Sequence, residues 1–443
     1  MILVQNHLQQ LSGNKFYMFF IASIMLLSSC GILRPTPSSR TTPETNTKTP
    51  EVVVTETKPT TTEKAKDSIA AAISSKSWAK KDKYDIAILL PFSTDEGELL
   101  KLMGDNKVTG YQPLASLEFY EGALIALDTL NRLGFKLNIH VYNNLRDSLS
   151  TALIMQKDAF KKTDLIIGPI FNDGLKAAVP IAQKNETYLL SPLSPVNTFT
   201  DSNKYFIMAN PPIESQFEAT IKQILKTQQD ANIIVVYRTD KPNEVKIGRE
   251  FSDAFNKVKG SSSSKLSEVA NFTGISEHLN DKENYVFIAG NDELYINGLI
   301  RDLSKSSRSN SITLVGLQNM LSLESVSLDY FETLNLHYPS PYWIDQNAPQ
   351  VKEFNEVFEA RYATRPSEFA YRGYDMMMYF ATMLNTYGPD LSASCGKVNP
   401  TLRYLMYPIA FKQVKLQDGT INFIENSTIT ILKYEDYRFV KVN

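Results

Sequence analysis

Apolar residues along this chain fall into short blocks that alternate with longer amphipathic stretches, and the alternation runs from Tyr84 almost to the end. The first block, Tyr84 to Phe92 (YDIAILLPF), is nearly continuous in apolar character and stops at Pro91. A run of that length predicts a strand buried on both faces, as in parallel sheets. Leu114 to Arg132 follows with helical spacing. Leu117, Tyr120, Leu124 and Leu127 recur on one side, Phe119, Ala123, Ala126 and Leu130 beside them, and Glu118, Glu121, Asp128 and Arg132 form a narrow polar stripe. A wide apolar face of this kind predicts a helix laid on a sheet. The next block, Lys136 to Asn143, completes a right-handed βαβ unit with parallel strands.

The rhythm then repeats. Ser148 to Lys161 predicts a helix with Leu149, Ala152, Leu153, Ala159 and Phe160 on its apolar face. Asp164 to Ile170 reads as a buried strand broken at Gly168-Pro169. The following helix, striped by Leu175, Ala178, Val179 and Ala182, has Asn172 or Asp173 as its expected cap. Thr187 to Leu190 is a strand closing in Ser191-Pro192-Leu193-Ser194-Pro195, and Lys204 to Ala209 is another, closed by Asn210-Pro211-Pro212. A second set opens at Asn232 to Tyr237 and continues with strands at Ser267 to Phe272, Tyr285 to Ala289 and Ser311 to Val315. After Tyr342 come two long helices, Val351 to Tyr362 and Gly373 to Asn385, the second a Met-aromatic run suited to filling a core. The end, Asn399 to Val442, is β-rich with a turn at Asp418-Gly419. Strands alternating with helices in two sets predict an α/β protein of two doubly wound, Rossmann-like lobes.

Composition agrees with a two-lobed globular chain. At 443 residues it exceeds one ordinary core, and with 43% hydrophobic residues, 21% charged residues and a net charge of −2 it has no basic excess to suggest nucleic acid. The start of the chain has a different logic. Phe16 to Leu27 is apolar but too short for an ordinary membrane span, follows Lys15, and ends in Leu27-Ser28-Ser29-Cys30-Gly31. That arrangement resembles the lipobox of bacterial lipoprotein signal peptides, in which the Cys30 thiol would take a diacylglycerol. Residues 1–30 are thus expected to be the signal peptide. Residues 31–83 form a Thr/Pro-rich tether, disordered because its composition cannot bury enough apolar surface, and long enough to span tens of ångströms. With Cys30 lipidated, Cys395 is the one cysteine left, so no intramolecular disulfide is expected.

Enzyme signatures are missing. The chain has no Gly-x-Ser-x-Gly elbow, no phosphate loop and no His-Glu-x-x-His, and His140, His278 and His337 are scattered. Cys395 has no histidine nearby in sequence. No catalytic residue, metal ligand or cofactor is expected.

Several segments together resemble the type I periplasmic binding fold of branched-chain amino-acid receptors, the substrate-binding components of ABC transporters. They are Ile86-Ala-Ile-Leu-Leu-Pro-Phe92, Phe119-Tyr-Glu-Gly-Ala-Leu124, Ile167-Gly-Pro169, Leu190-Ser-Pro192, Tyr371-Arg-Gly-Tyr-Asp375 and Gly419-Thr-Ile-Asn422. The likeness is strongest to envelope lipoproteins of Bacteroidetes. It implies a three-strand hinge joining a first lobe, 84–211 with 343–443, to a second, 212–342. Ligands of open α/β sheets bind outside the strand carboxyl ends. The cleft is therefore expected at Phe92, Ser93, Phe171, Asn172, Ser191 and Ser194 from the first lobe, with Tyr237, Asn291, Gln318 and Asn319 from the second. By the resemblance, Gln318 stands where amino-acid receptors carry an acid for the substrate ammonium, and Ile170 and Phe171 replace small hydroxyl residues. An amide cannot pair a buried cation as a carboxylate does, so the expected ligand is small, polar and neutral or anionic. Asp292 could supply the missing acid, although capping the next helix is the simpler role. Two partner readings follow: an ABC permease served by a solute-binding lipoprotein, or a cell-wall synthase contacted by a regulatory one. Both place the protein on the periplasmic face of a bacterial membrane. Cys30→Ser should release the protein from the membrane fraction, and unchanged fractionation would contradict the lipid anchor.

Overall fold

The computed structural model describes residues 77–92, 112–199, 202–270, 274–290, 292–317, 320, 323–397, 404–406 and 409–442. The lipidation candidate Cys30, the tether up to residue 76, and the cleft candidates Ser93, Asn291, Gln318 and Asn319 lie outside the described residues.

Strand β1 (Tyr84–Leu90) is buried almost throughout. Ile86, Ile88 and Leu90 join one core cluster, and Ala87 and Leu89 another on the opposite face. That is the two-sided burial which the unbroken apolar run predicts. Helix α1 (Gln112–Arg132) leads to β2 (Leu137–Asn143), which pairs parallel with β1. The next helical stretch is two helices, α2 (Ser148–Met155) and α3 (Asp158–Lys162). Then come β3 (Leu165–Ile167), α4 (Asn172–Lys184), β4 (Tyr188–Ser191) and β5 (Phe206–Met208). The second lobe opens with α5 (Ile213–Thr227), β6 (Asn232–Tyr237), α6 (Pro242–Val258) and β7 (Lys265–Ala270). It continues through α7 (Ile275–His278), β8 (Asn284–Ile288), α8 (Glu293–Ser306), β9 (Ile312–Val315), α9 (Leu328–Thr333) and β10 (His337–Ser340). Helices α10 (Pro349–Tyr362), α11 (Glu368–Tyr387) and α12 (Leu391–Ser394) precede strands β11 (Phe411–Lys415), β12 (Ile421–Asn426), β13 (Thr430–Glu435) and β14 (Arg438–Lys441).

The described strands form two seven-stranded sheets, ordered β11-β12-β5-β4-β3-β1-β2 and β14-β13-β10-β9-β8-β6-β7. β1 to β5 and β12 are mutually parallel, as are β6 to β10, and β11, β13 and β14 supply antiparallel edges. This is the two-lobed, doubly wound architecture expected. One boundary differs. The sequence reading gives all of 343–443 to the first lobe, but β13 pairs antiparallel with β10, which puts the last hairpin in the second sheet. Alternating apolar residues announce a hairpin and carry no information about which sheet edge it extends.

The face of α2 differs too. Leu149 and Leu153, read as core, are 67% and 57% exposed, while Thr151 and Met155 are buried. Polar groups turn the helix over. Asp147 caps it by accepting from Ser150 N, Thr151 Oγ1 donates to Asp147 O, and Asn144 Nδ2 donates to Thr151 Oγ1. Three local hydrogen bonds outweigh an apolar stripe of two leucines. Helix α4 also departs from expectation: its cap is Phe171, with no side-chain hydrogen bond, rather than Asn172 or Asp173.

The first-lobe core depends on a close crossing of α1 and α11. A Cβ at Gly122 would lie 1.9 Å from Ala370 O, and one at Gly373 would lie 1.9 Å from Phe119 O, so the two backbones touch where both side chains are absent. Met376, Met377, Met378, Tyr379, Phe380 and Met383 on α11 are all buried. Two residues beyond Gly373, Asp375 is fully buried and accepts from Leu405 N at 2.8 Å and Met406 N at 2.6 Å. Burial raises its pKa to about 7 against an ordinary 3.8, although both backbone bonds pull the other way. The folded state therefore holds this proton more tightly than the unfolded chain. The stability it contributes is complete below about pH 4 and is lost as pH rises through about 7. Thermal melts should show stability declining across that window, and Asp375→Asn should flatten the decline; an equal slope in both proteins would contradict it.

Candidate functional site

The chain crosses between lobes three times, at 209–212 after β5, at 341–348 after β10 and at 427–429 after β12. One side chain ties all three. Asn426, 5% exposed, donates from Nδ2 to Ala209 O at 3.2 Å and Pro341 O at 3.1 Å, and its Oδ1 accepts from Thr428 N at 2.9 Å. The adjacent Glu425 of β12 accepts from Ser215 Oγ in the first turn of α5, an anion at a helix N-terminus, and pairs with Lys412 Nζ at 2.9 Å. A site follows from this topology. β5 and β10 end at the hinge, and the strands parallel to them end on the same edges of their sheets. The carboxyl ends of β1, β3 and β4, and of β6, β8 and β9, therefore all border the space beside the hinge.

In the first lobe, four of the five described candidates make contacts to one another or to nearby side chains. Phe92 packs edge-on against Tyr120, and its backbone is held by Asn143, which accepts from Phe92 N at 3.0 Å and donates to Phe92 O at 2.9 Å. Phe171 lies under the Arg146 guanidinium, 4.1 Å from the ring centre. Arg146 and Leu145 both have left-handed backbone, at φ 55° and 51°, which aims the guanidinium at that ring. Ser194 Oγ donates to Asn172 Oδ1 at 2.6 Å and accepts from Val196 N at 3.2 Å. Ser191 is fully buried and its hydroxyl reaches only Ser194 O, at 3.5 Å. The two hydroxyls thus shape the Pro-rich loop, and Asn210 Nδ2 reinforces it by donating to Leu193 O.

In the second lobe, Tyr237 donates to Glu268 Oε2 at 2.6 Å. The next residue dominates the strand ends. The Arg238 guanidinium bonds Glu244 through Nε at 3.0 and 3.1 Å and through Nη2. It also reaches Asp292 Oδ2 through Nη1 at 3.0 Å and lies 4.4 Å from the Tyr295 ring centre. Asp292 also caps α8 by accepting from Tyr295 N, the simpler role expected of it, and that bond and Arg238 hold its carboxyl below its ordinary pKa. Both carboxylates at these strand ends are therefore already taken by one guanidinium. Arg238 directly follows the last residue of β6 and falls in the 237–239 stretch that the strand-end rule marks, although its pairing is not legible there; Asn426 had no such signal.

Near the hinge, Arg372 of α11 lies 3.3 Å from the centre of the Tyr342 ring and pairs with Glu368 at 3.3 Å. Cys395 is an unpaired thiol whose pKa burial pushes up to about 11, which removes it as a nucleophile. Among the described residues no group of three or more His, Cys, Asp and Glu side chains could hold a metal, and no helix is long and apolar enough to cross a membrane.

The two-lobed fold with its sites at a three-crossing hinge defines a class. The Periplasmic binding protein family profile matches residues 108–408, and the chain belongs to that family. Among solved structures it is similar to a Rhodospirillum rubrum protein assigned to branched-chain amino acid ABC transport, at 16% identity and TM-score 0.59, covering 81% of this chain and 100% of that one. It is similar to an ABC transporter substrate-binding protein of Desulfitobacterium hafniense in complex with Leu, at 16% identity and TM-score 0.51, over 81% and 100% of the two chains. A Rhodopseudomonas palustris solute-binding protein of an ABC transporter, in complex with 3,4-dihydroxy benzoic acid, shares 14% identity at TM-score 0.50 over 82% and 97%. These likenesses establish the fold. No curated protein sequence matches the chain.

Asn426→Ala removes both donor bonds and leaves two hinge carbonyls unpaired, which should destabilise the protein by about 2 kcal/mol. Asn426→Asp should cost at least as much at neutral pH, because a carboxylate would face those carbonyls. Urea denaturation checks both; an unchanged midpoint would show that the clasp does not hold the hinge.

Proposed function

We propose that this protein is a lipid-anchored solute-binding protein of the bacterial envelope. It captures a small, polar, neutral or anionic ligand between its lobes and hands it to an ABC permease, with no chemical step of its own. The observation that carries this reading is the neutralisation of Glu244 and Asp292 by Arg238 at the second-lobe strand ends. A substrate ammonium would find no free carboxylate there, and burying it unpaired costs several kcal/mol. The Rhodopseudomonas palustris relative, whose bound benzoic acid has a carboxyl and no ammonium, supports the same ligand class. Gln318 and Asn319 would complete the site from the second lobe. Ser191 and Ser194 would do so from the first, once their loop turns a hydroxyl outward.

A second reading, a regulatory envelope protein contacting a cell-wall synthase, gains from two observations. The Ser191 hydroxyl is spent on Ser194 O and the Ser194 hydroxyl on Asn172, and Leu145, Leu149 and Leu153 present an exposed apolar stripe on the first-lobe edge. Calorimetry on the full-length chain in detergent separates the readings, with amino acids, aromatic acids and short peptides as titrants. A neutral or anionic compound should bind, free leucine should bind weakly or not at all, and Ser191→Ala/Gln318→Ala should weaken binding about tenfold or more. Tight leucine binding would overturn the ligand class, binding unchanged in the double variant would move the site, and an inert panel would favour the contact reading.

A further inference from the structure

A cavity of about 650 Å³ lies on one flank of the hinge, away from every strand-end residue discussed above. One wall is second-lobe sheet, with Tyr338, Ser340, Leu432 and Phe439; the other is first-lobe helix, with Asn355, Glu359, Glu368 and Tyr371; the crossing from Tyr342 to Gln346 closes it. Its volume is that of a small-molecule site.

Three features specify the occupant. The lining is rich in aromatic side chains: Tyr338 and Phe439, packed edge to face at 5.0 Å, with Tyr342, Trp343 and Tyr371. The polar groups are pre-oriented. Gln346 Nε2 donates to the Tyr371 hydroxyl at 3.4 Å, that hydroxyl donates to Asn355 Oδ1 at 2.7 Å, and Asn355 Nδ2 donates to Gln346 Oε1 at 3.2 Å. Each amide keeps one N–H and each oxygen a lone pair for a further partner. The charges cancel: Glu359 pairs with Arg365 at 3.5 Å and Glu368 with Arg372 at 3.3 Å. The oxygen of Glu368 that faces Arg372 is Oε2, and it is shut off from solvent.

We propose that this cavity is a second binding site, for a short neutral saccharide. A pyranose ring has an apolar C–H face to lay on the rings and a rim of hydroxyls that both donate and accept, which matches amides held in a fixed array. A cation or an anion would instead compete with ion pairs already formed. Because its walls come from both lobes, an occupant would fix the angle between them, so this site would act on the cleft without belonging to it.

The chain has two tryptophans, Trp78 and Trp343, and only Trp343 lines the cavity. Full-length protein carrying Trp78→Phe would be titrated with glucose, N-acetylglucosamine and its β-1,4-linked dimer, with spermidine and glucuronate as charged controls. A neutral saccharide should shift Trp343 emission saturably. Tyr371→Phe, which keeps the ring, and Asn355→Ala, at a half-buried position, should each weaken that binding about tenfold, with unchanged circular dichroism. Co-sedimentation with insoluble chitin separates the sources: binding to the polymer alone, abolished by the same variants, would assign the site to a glycan chain rather than a free sugar. No saturable response to any saccharide or to the polymer would overturn the proposal. So would a stronger response to spermidine or glucuronate, or binding indifferent to both variants.

Discussion

The molecule depends on one buried amide. A chain that crosses three times between two lobes must bring three non-helical backbone segments together, and each brings carbonyl and amide groups that need partners once water is excluded. Asn426 serves all three at once, donating to Ala209 O and Pro341 O and accepting from Thr428 N, so one planar group spans the crossings. Its neighbour Glu425 ties the same strand to the first turn of α5. Everything functional takes its position from this joint. The parallel strands beside β5 and β10 must end next to it, and so must the loops that follow them.

The first lobe has its own constraint, a place where two helices meet backbone to backbone. Gly122 and Gly373 each leave space that the partner's carbonyl occupies. In the sequence these glycines belong to Phe119-Tyr-Glu-Gly-Ala-Leu124 and Tyr371-Arg-Gly-Tyr-Asp375, two segments some 250 positions apart that look like independent family signatures. In space they are the two sides of one contact, and Asp375 beside it holds the 404–406 loop against α11 through its carboxyl group. That arrangement keeps an ionisable group at the centre of an otherwise Met-aromatic core.

Electrostatic character at the strand ends is decided by pairing rather than by residue type. Glu244 and Asp292 are acidic residues at the second-lobe strand ends, yet Arg238 neutralises both. Ser191 and Ser194 are hydroxyls at the matching first-lobe edge, yet Ser191 bonds within its own loop and Ser194 bonds Asn172 at the start of α4. On α2 the same principle exposes Leu149 and Leu153, because Asp147, Asn144 and Thr151 form a polar anchor on the other side.

How much of this could be read in advance follows from the range of each interaction. The two lobes, nearly every strand and helix, the buried character of β1 and α11, and the turn at Gly419 follow from periodicity and turn chemistry, which act within a few residues and are written directly in the chain. The strand-end rule marks Phe92, Phe171, Asn172, Ser191, Ser194 and Tyr237 as cleft candidates at or just beyond strand ends, because topology alone decides where parallel strands finish. Tertiary structure decided the rest. It sent β13 and β14 to the second sheet, since a hairpin pattern does not name its neighbour. It gave Asn426 its three partners, which come from positions up to 217 residues away. It also brought Tyr338, Phe439, Tyr371 and Asn355 around one cavity, from two lobes and four separate elements. Contacts between residues so distant in sequence leave no periodic trace, so only the folded chain could reveal them.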